Sequence, residues 1–99
     1  MAYPKDQLDA PLPVQADAGS LEIARVWLSG TGQHFTIRAD AFDDPAAWGI
    51  LLVDLARHTA VAYEQSGKQD RQAALNRLLD GLRVELDSPT DDPARNLAS

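Results

Sequence analysis

Two small groups of residues in this 99-residue chain have types and spacings that suit chemistry, one around His58 and one around His34. His58 follows Asp54 by four positions and stands beside Arg57. On a helix that spacing sets the carboxylate one turn from the two basic groups, where it can orient an imidazole as a general base or simply pair with either partner. No nucleophile or third group joins them, so Asp54, Arg57 and His58 read better as an ion-pairing or interface stripe. His34 belongs with Arg25, Trp27 and Arg38. Two guanidinium groups and an imidazole beside an indole could take a carboxylate or phosphate against an aromatic platform. The plainer expectation is a sheet face covered by the N-terminal arm or a partner subunit.

Other chemistries find little support. The chain has no cysteine, which removes disulfides and cysteine-based zinc sites. The pairs Asp43-Asp44 and Asp91-Asp92 lack the converging oxygens, about six to eight, that calcium requires. Gly30 and Gly32 stand without the third glycine, lysine and helix of a phosphate-cradling loop. No metal, cofactor or catalytic residue is therefore expected. A net charge of −6, with nine basic residues scattered singly, argues against binding a nucleic-acid backbone. No apolar run approaches the ~18 residues of a membrane span, the longest being Ile50 to Val53. Met1 to Ser20 lacks the basic start and apolar run of a secretory signal, so a cytoplasmic protein is expected.

The elements that must position these residues follow from patterning. Residues 1–19 contain Pro4, Pro11 and Pro13 and no helical period; they read as an extended arm that Leu8, Leu12 and Val14 could pin to the domain. Leu21 to Ser29 and Gln33 to Ala39 are rich in β-branched and aromatic residues and flank Gly30-Thr31-Gly32, the pattern of a β-hairpin. An even-length loop puts Ala24, Val26, Leu28, Phe35 and Ile37 on one face. Ile23, Arg25, Trp27, His34, Thr36 and Arg38 then share the other. Gly30 leading a two-residue turn would suit type II′ geometry.

Asp43-Asp44-Pro45 is a helix start, with Asp44 as cap and Pro45 in the first turn, and Gly67 suits the position just past the end. At 100° per residue, Trp48, Leu52, Leu55, Ala56, Thr59, Ala62 and Tyr63 fill a broad arc. Asp54, Arg57, His58 and Gln65 lie opposite, yet Ile50 and Val61 sit inside the edges of that polar stripe. A surface helix covering one small core does not need so much apolar circumference. A second helix, about Arg71 to Asp87, is capped by Asp70 and carries Leu75, Leu78, Leu79, Leu82 and Leu86 as its stripe. Gly81 within it marks either close approach of a neighbour or a tolerated surface glycine. Residues 89–99 read as a mobile tail.

Several stretches together resemble a family of short bacterial proteins catalogued as a domain of unknown function. They are Arg25-Val26-Trp27, Gly32-Gln33-His34, the run from Asp43 to His58, and Pro89 to Pro93. The resemblance implies a bacterial source and no particular activity.

The expected architecture is α+β: an arm (1–19), one domain (20–88) built as a β-hairpin followed by two α-helices, and a tail (89–99). A domain this small buries roughly 60% of its unfolded surface and usually needs help to be stable. Without disulfides, self-association is the natural remedy. The expectation is thus a homodimer or higher oligomer acting as an interaction or regulatory protein, with Ile50, Val61, Asp54, Arg57 and His58 at the interface. An unidentified protein partner is a further possibility. A small anionic-ligand-binding protein or enzyme using Arg25, Trp27, His34 and Arg38 is the alternative.

Overall fold

In the computed structural model of the chain, which describes residues 6–89, 97 and 98, a β-hairpin precedes two long helices, the expected α+β order. Strand β1 (Ala24–Ser29) pairs antiparallel with β2 (Gly32–Ile37), so that Ala24 faces Ile37, Val26 faces Phe35 and Trp27 faces His34. This register produces both predicted faces, because an even loop keeps residues of equal parity on opposite strands apart and brings unlike parity together. The loop is Gly30-Thr31, closed by Ser29 and Gly32. It is not led by a left-handed Gly30, as a type II′ turn would be. The positive φ of 124° belongs to Gly32, at the start of β2.

Helix α2 (Ala46–Gln65) opens as its sequence demands: the Asp44 carboxylate accepts the Ala46 N–H at 2.9 Å. It closes on Gly67 at φ 75°, with Gly67 N–H donating to Glu64 C=O and Lys68 N–H donating to Tyr63 C=O. Those two bonds form a Schellman motif, which only a left-handed residue such as glycine completes without strain. Asp70 then caps α3 (Arg71–Asp87), accepting the Ala73 N–H at 3.2 Å.

The two helices pack as an antiparallel pair through small residues. Ala56, Ala60 and Ala74 are the buried side chains among the described residues. Ala60 and Ala74 share the walls of one cleft with Thr59, Tyr63 and Leu78. Close approach therefore lies near the α2–α3 turn. Leu75, Leu78 and Leu79 are half-buried, whereas Leu82, Val84 and Leu86 stay exposed. The predicted leucine stripe is thus covered only along its first half. A Cβ built on Gly81 would meet nothing within 4 Å, so this glycine marks open surface and not a close approach.

Among the described residues, close packing joins β1 to β2, β2 to a terminal strand, and α2 to α3. Two other expectations change. Residues 12–15 of the arm form one helical turn, α1 (Leu12–Gln15), with Pro11 as its N-cap and Pro13 in the first turn, positions that need no N–H. Leu8 (97% exposed) and Leu12 (76%) do not pin the arm down. At the other end, Leu97–Ala98 form β3, paired in parallel with Phe35 and Thr36, where the outer edge of β2 offers free backbone groups. The tail expected over 89–99 therefore returns to the sheet at these two residues, and residues 90–96 lie outside the described ones. No helix among the described residues is long and apolar enough to cross a membrane.

Candidate functional site

Arg25, Trp27, His34 and Arg38 do share one face of the hairpin, but they form two separate arrangements. Toward the open end, Arg25 Nε donates to Glu22 Oε1 at 2.8 Å, and its guanidinium lies 5.9 Å from the Trp27 ring centroid. Arg38 Nε donates to the Glu22 carbonyl, also at 2.8 Å. Both arginines are thus tied to Glu22, one through its carboxylate and one through its backbone. They border a cleft of 410 Å³ that Thr36, Ile37 and Asp40 also line. Glu22 and Asp40 bring two carboxylates to two guanidinium groups, so the cleft carries no excess positive charge.

His34 turns the other way, toward the loop. Its Nε2 lies 2.8 Å from Ser29 Oγ and 2.9 Å from Thr31 Oγ1, and those two hydroxyls are 2.9 Å apart. The sequence reading missed this cluster. Its signal was present in the parity: Ser29 and His34 share one face of the hairpin, and Thr31 lies in the two-residue turn between their strands. A hydroxyl within reach of an imidazole has the composition of a nucleophile–base pair. The further requirements, a group orienting Nδ1 and donors for an oxyanion, have no counterpart among the contacts of the described residues. The cluster reads as a polar clasp that holds the turn.

On α2 the predicted ion pairs do not form. His58 Nδ1 donates to the Asp54 backbone carbonyl at 2.7 Å, and no ion pair joins Asp54 to Arg57 or His58 among the described residues. The imidazole reaches back along its own helix to the i−4 carbonyl, as the Thr59 hydroxyl does to Leu55 C=O at 2.8 Å. Asp54, Arg57 and His58 are left exposed and outward-facing. Ile50 beside them is 68% exposed, while Val61 is half-buried. The exposed apolar set on this helix is wider than that pair: Leu52, Val53, Leu55 and Tyr63 are also uncovered. Among the described residues no group of three His, Asp or Glu side chains is placed to hold a metal ion.

The hairpin, the helix pair and the uncovered apolar faces define a small α+β domain with more exposed apolar surface than core. The chain belongs to the family described as Domain of unknown function (DUF5076), whose model matches residues 7–90. Among solved structures it is similar to a protein of the photosynthetic bacterium Rhodopseudomonas palustrus CGA009 named "a putative pyruvate dehydrogenase". The two are 35% identical over 93% of each chain, with a TM-score of 0.68. No curated protein matches the chain.

Proposed function

We propose that this chain is a homo-oligomeric interaction protein whose folded unit is completed by a second copy of itself. The observation that carries the reading is surface. The chain exposes 8593 Å², whereas a compact monomer of its mass exposes about 5,500 Å². Its radius of gyration is 15.4 Å, against about 13 Å for a compact chain of this length. The N-terminal segment contributes part of that excess. Much of the rest is apolar: Val26 and Leu28 on the hairpin, Ile50, Leu52, Val53 and Leu55 on α2, and Leu82, Val84 and Leu86 on α3. So many exposed apolar side chains on one small chain support an interface.

Three buried alanines cannot by themselves hold a domain together against its conformational entropy. Sedimentation velocity across a micromolar concentration series tests the reading. A dimer or higher species is expected, and a well-folded monomer throughout would overturn it.

A second reading, a small carboxylate ligand in the charge-balanced arginine cleft, rests among its residues on Arg38 alone. Arg38 has no carboxylate partner among the described residues, and the Rhodopseudomonas protein's name refers to a 2-oxo acid. Thermal stabilisation by pyruvate, lost in Arg38→Ala, is the expected result on this reading. A saturating ligand adds ~2.7 kcal/mol at one hundred times its dissociation constant, so a flat profile would remove it.

A further inference from the structure

Of the two edges of the sheet β1-β2-β3, one carries the two-residue β3 and the other is the full length of β1, which borders a cleft shared with Asp6, Gln7 and Leu8. The Arg38 N–H bond to the Ile23 carbonyl, at 2.8 Å, fixes which residues point to that edge. In an antiparallel pair, hydrogen-bonded and non-hydrogen-bonded positions alternate. Ile23, Arg25, Trp27 and Ser29 therefore bond inward to β2, and Ala24, Val26 and Leu28 turn both N–H and C=O outward. No backbone partner meets those groups among the described residues. Natural edge strands are usually guarded by a proline, a bulge, or a charge placed to repel a neighbour. Ala24–Ser29 has no proline, pairs without a bulge, and bears a single charge that lies against Trp27 and Glu22.

We infer that β1 pairs antiparallel with β1 of a second copy about a two-fold axis at Val26, giving one continuous sheet across the dimer. The inference rests on the self-association reading above and names the surface that performs it.

The register follows from self-complementarity. With Val26 opposite its own copy, Ala24 faces the copy's Leu28, and Arg25 faces the copy's Trp27. All three outward residues then sit at hydrogen-bonded positions, which is the geometry their backbone already holds. Arg25 meets an indole face, extending across the axis the contact it makes at 5.9 Å within one chain. A two-fold at Arg25 would instead set like charges directly opposite, which is unfavourable. The joined sheets place Val26, Leu28 and Phe35 of both copies on one apolar face, wide enough to receive the uncovered sides of α2 and α3. A stable dimer needs about 800 Å² per partner, a fraction of the difference of about 3,000 Å² between the 8593 Å² exposed and the compact value, part of which belongs to the N-terminal segment.

Amide exchange of the full-length wild type, followed by NMR at low and high protein concentration, tests the pairing directly. The Val26, Ala24 and Leu28 amides should become protected as the dimer forms, while the Arg25 and Trp27 amides are protected at both concentrations. Val26→Pro removes an N–H that bonds nothing inside the hairpin, and should raise the dimer dissociation constant at least about tenfold by loss of paired N–H···O bonds. If Val26→Pro fails to fold, the exchange experiment on the wild type decides alone. A wild type that sediments as a monomer overturns both readings. A wild-type dimer whose Val26 amide exchanges freely, or which Val26→Pro leaves equally tight, overturns only the β1 pairing.

Discussion

Glu64, in the last turn of α2, grips Arg71, the first residue of α3, by both side chain and main chain. Its Oε1 accepts from Arg71 Nη2 at 2.9 Å and from Nε at 3.3 Å, while Oε2 accepts the Arg71 backbone N–H at 3.2 Å. One carboxylate thus closes the α2–α3 turn and satisfies a first-turn N–H of α3 that no intrahelical carbonyl can reach. Both side chains are substantially exposed, at 58% for Arg71 and 41% for Glu64. Solvent screening keeps such a pair below about 1 kcal/mol. Urea denaturation should therefore show Glu64→Ala destabilising by about 1 kcal/mol and Arg71→Ala by less, because only Glu64 also serves the backbone. Equal effects would show that the main-chain contact contributes nothing.

Two glycines should respond in opposite directions. Gly67 holds φ 75° in the Schellman turn, so Gly67→Ala is expected to destabilise by about 1 kcal/mol. Gly81 lies in α3 with open space where a Cβ would go, so Gly81→Ala should stabilise by about 1 kcal/mol. For a domain this size that corresponds to a melting-temperature rise of roughly 4–8 °C. A loss at Gly81 would mean that something outside this chain packs against it.

Ala60 is 1% exposed and sits at the α2–α3 contact. Ala60→Leu should push the helices apart and destabilise by about 1–3 kcal/mol. Leu78, which is half-buried, should lose about 1–2 kcal/mol on truncation to Ala, less than the ~2–5 kcal/mol of a fully buried leucine. Thermal melts of both variants, read at one protein concentration, check the order.

Ile50→Glu separates assembly from folding. Ile50 is 68% exposed in the single chain, so an isolated chain should change by no more than about 0.5 kcal/mol. A self-associated one should shift toward monomer in sedimentation velocity. Val61 is half-buried, and Val61→Glu should lower stability as well. An unchanged mass for Ile50→Glu would take α2 out of the interface.

Much of the fold was legible because its signals are local. Asp44, Pro45, Gly67 and Asp70 place the helix ends through caps and φ values that depend on a few adjacent residues. The hairpin register follows from parity alone, and with it the common face of Arg25, Trp27, His34 and Arg38. Side-chain choices on that face were not legible. His34 prefers the Ser29 and Thr31 hydroxyls over the arginines, and His58 prefers a backbone carbonyl over the Asp54 carboxylate, because distances under 3 Å decide between partners that spacing treats as equal.

The order of elements, their caps, the two faces of the hairpin and an apolar surplus on α2 are all set by local residue patterns. Where that surplus goes unmet depends on packing. Packing through Ala56, Ala60 and Ala74 draws the helices together near their turn and leaves Leu82, Val84 and Leu86 bare. β3 pairs with Phe35 and Thr36 of β2, and the β1 edge stays unpaired among the described residues. The physical reason is range: capping, parity and φ are settled within a few residues, whereas burial depends on which distant surfaces reach each other first.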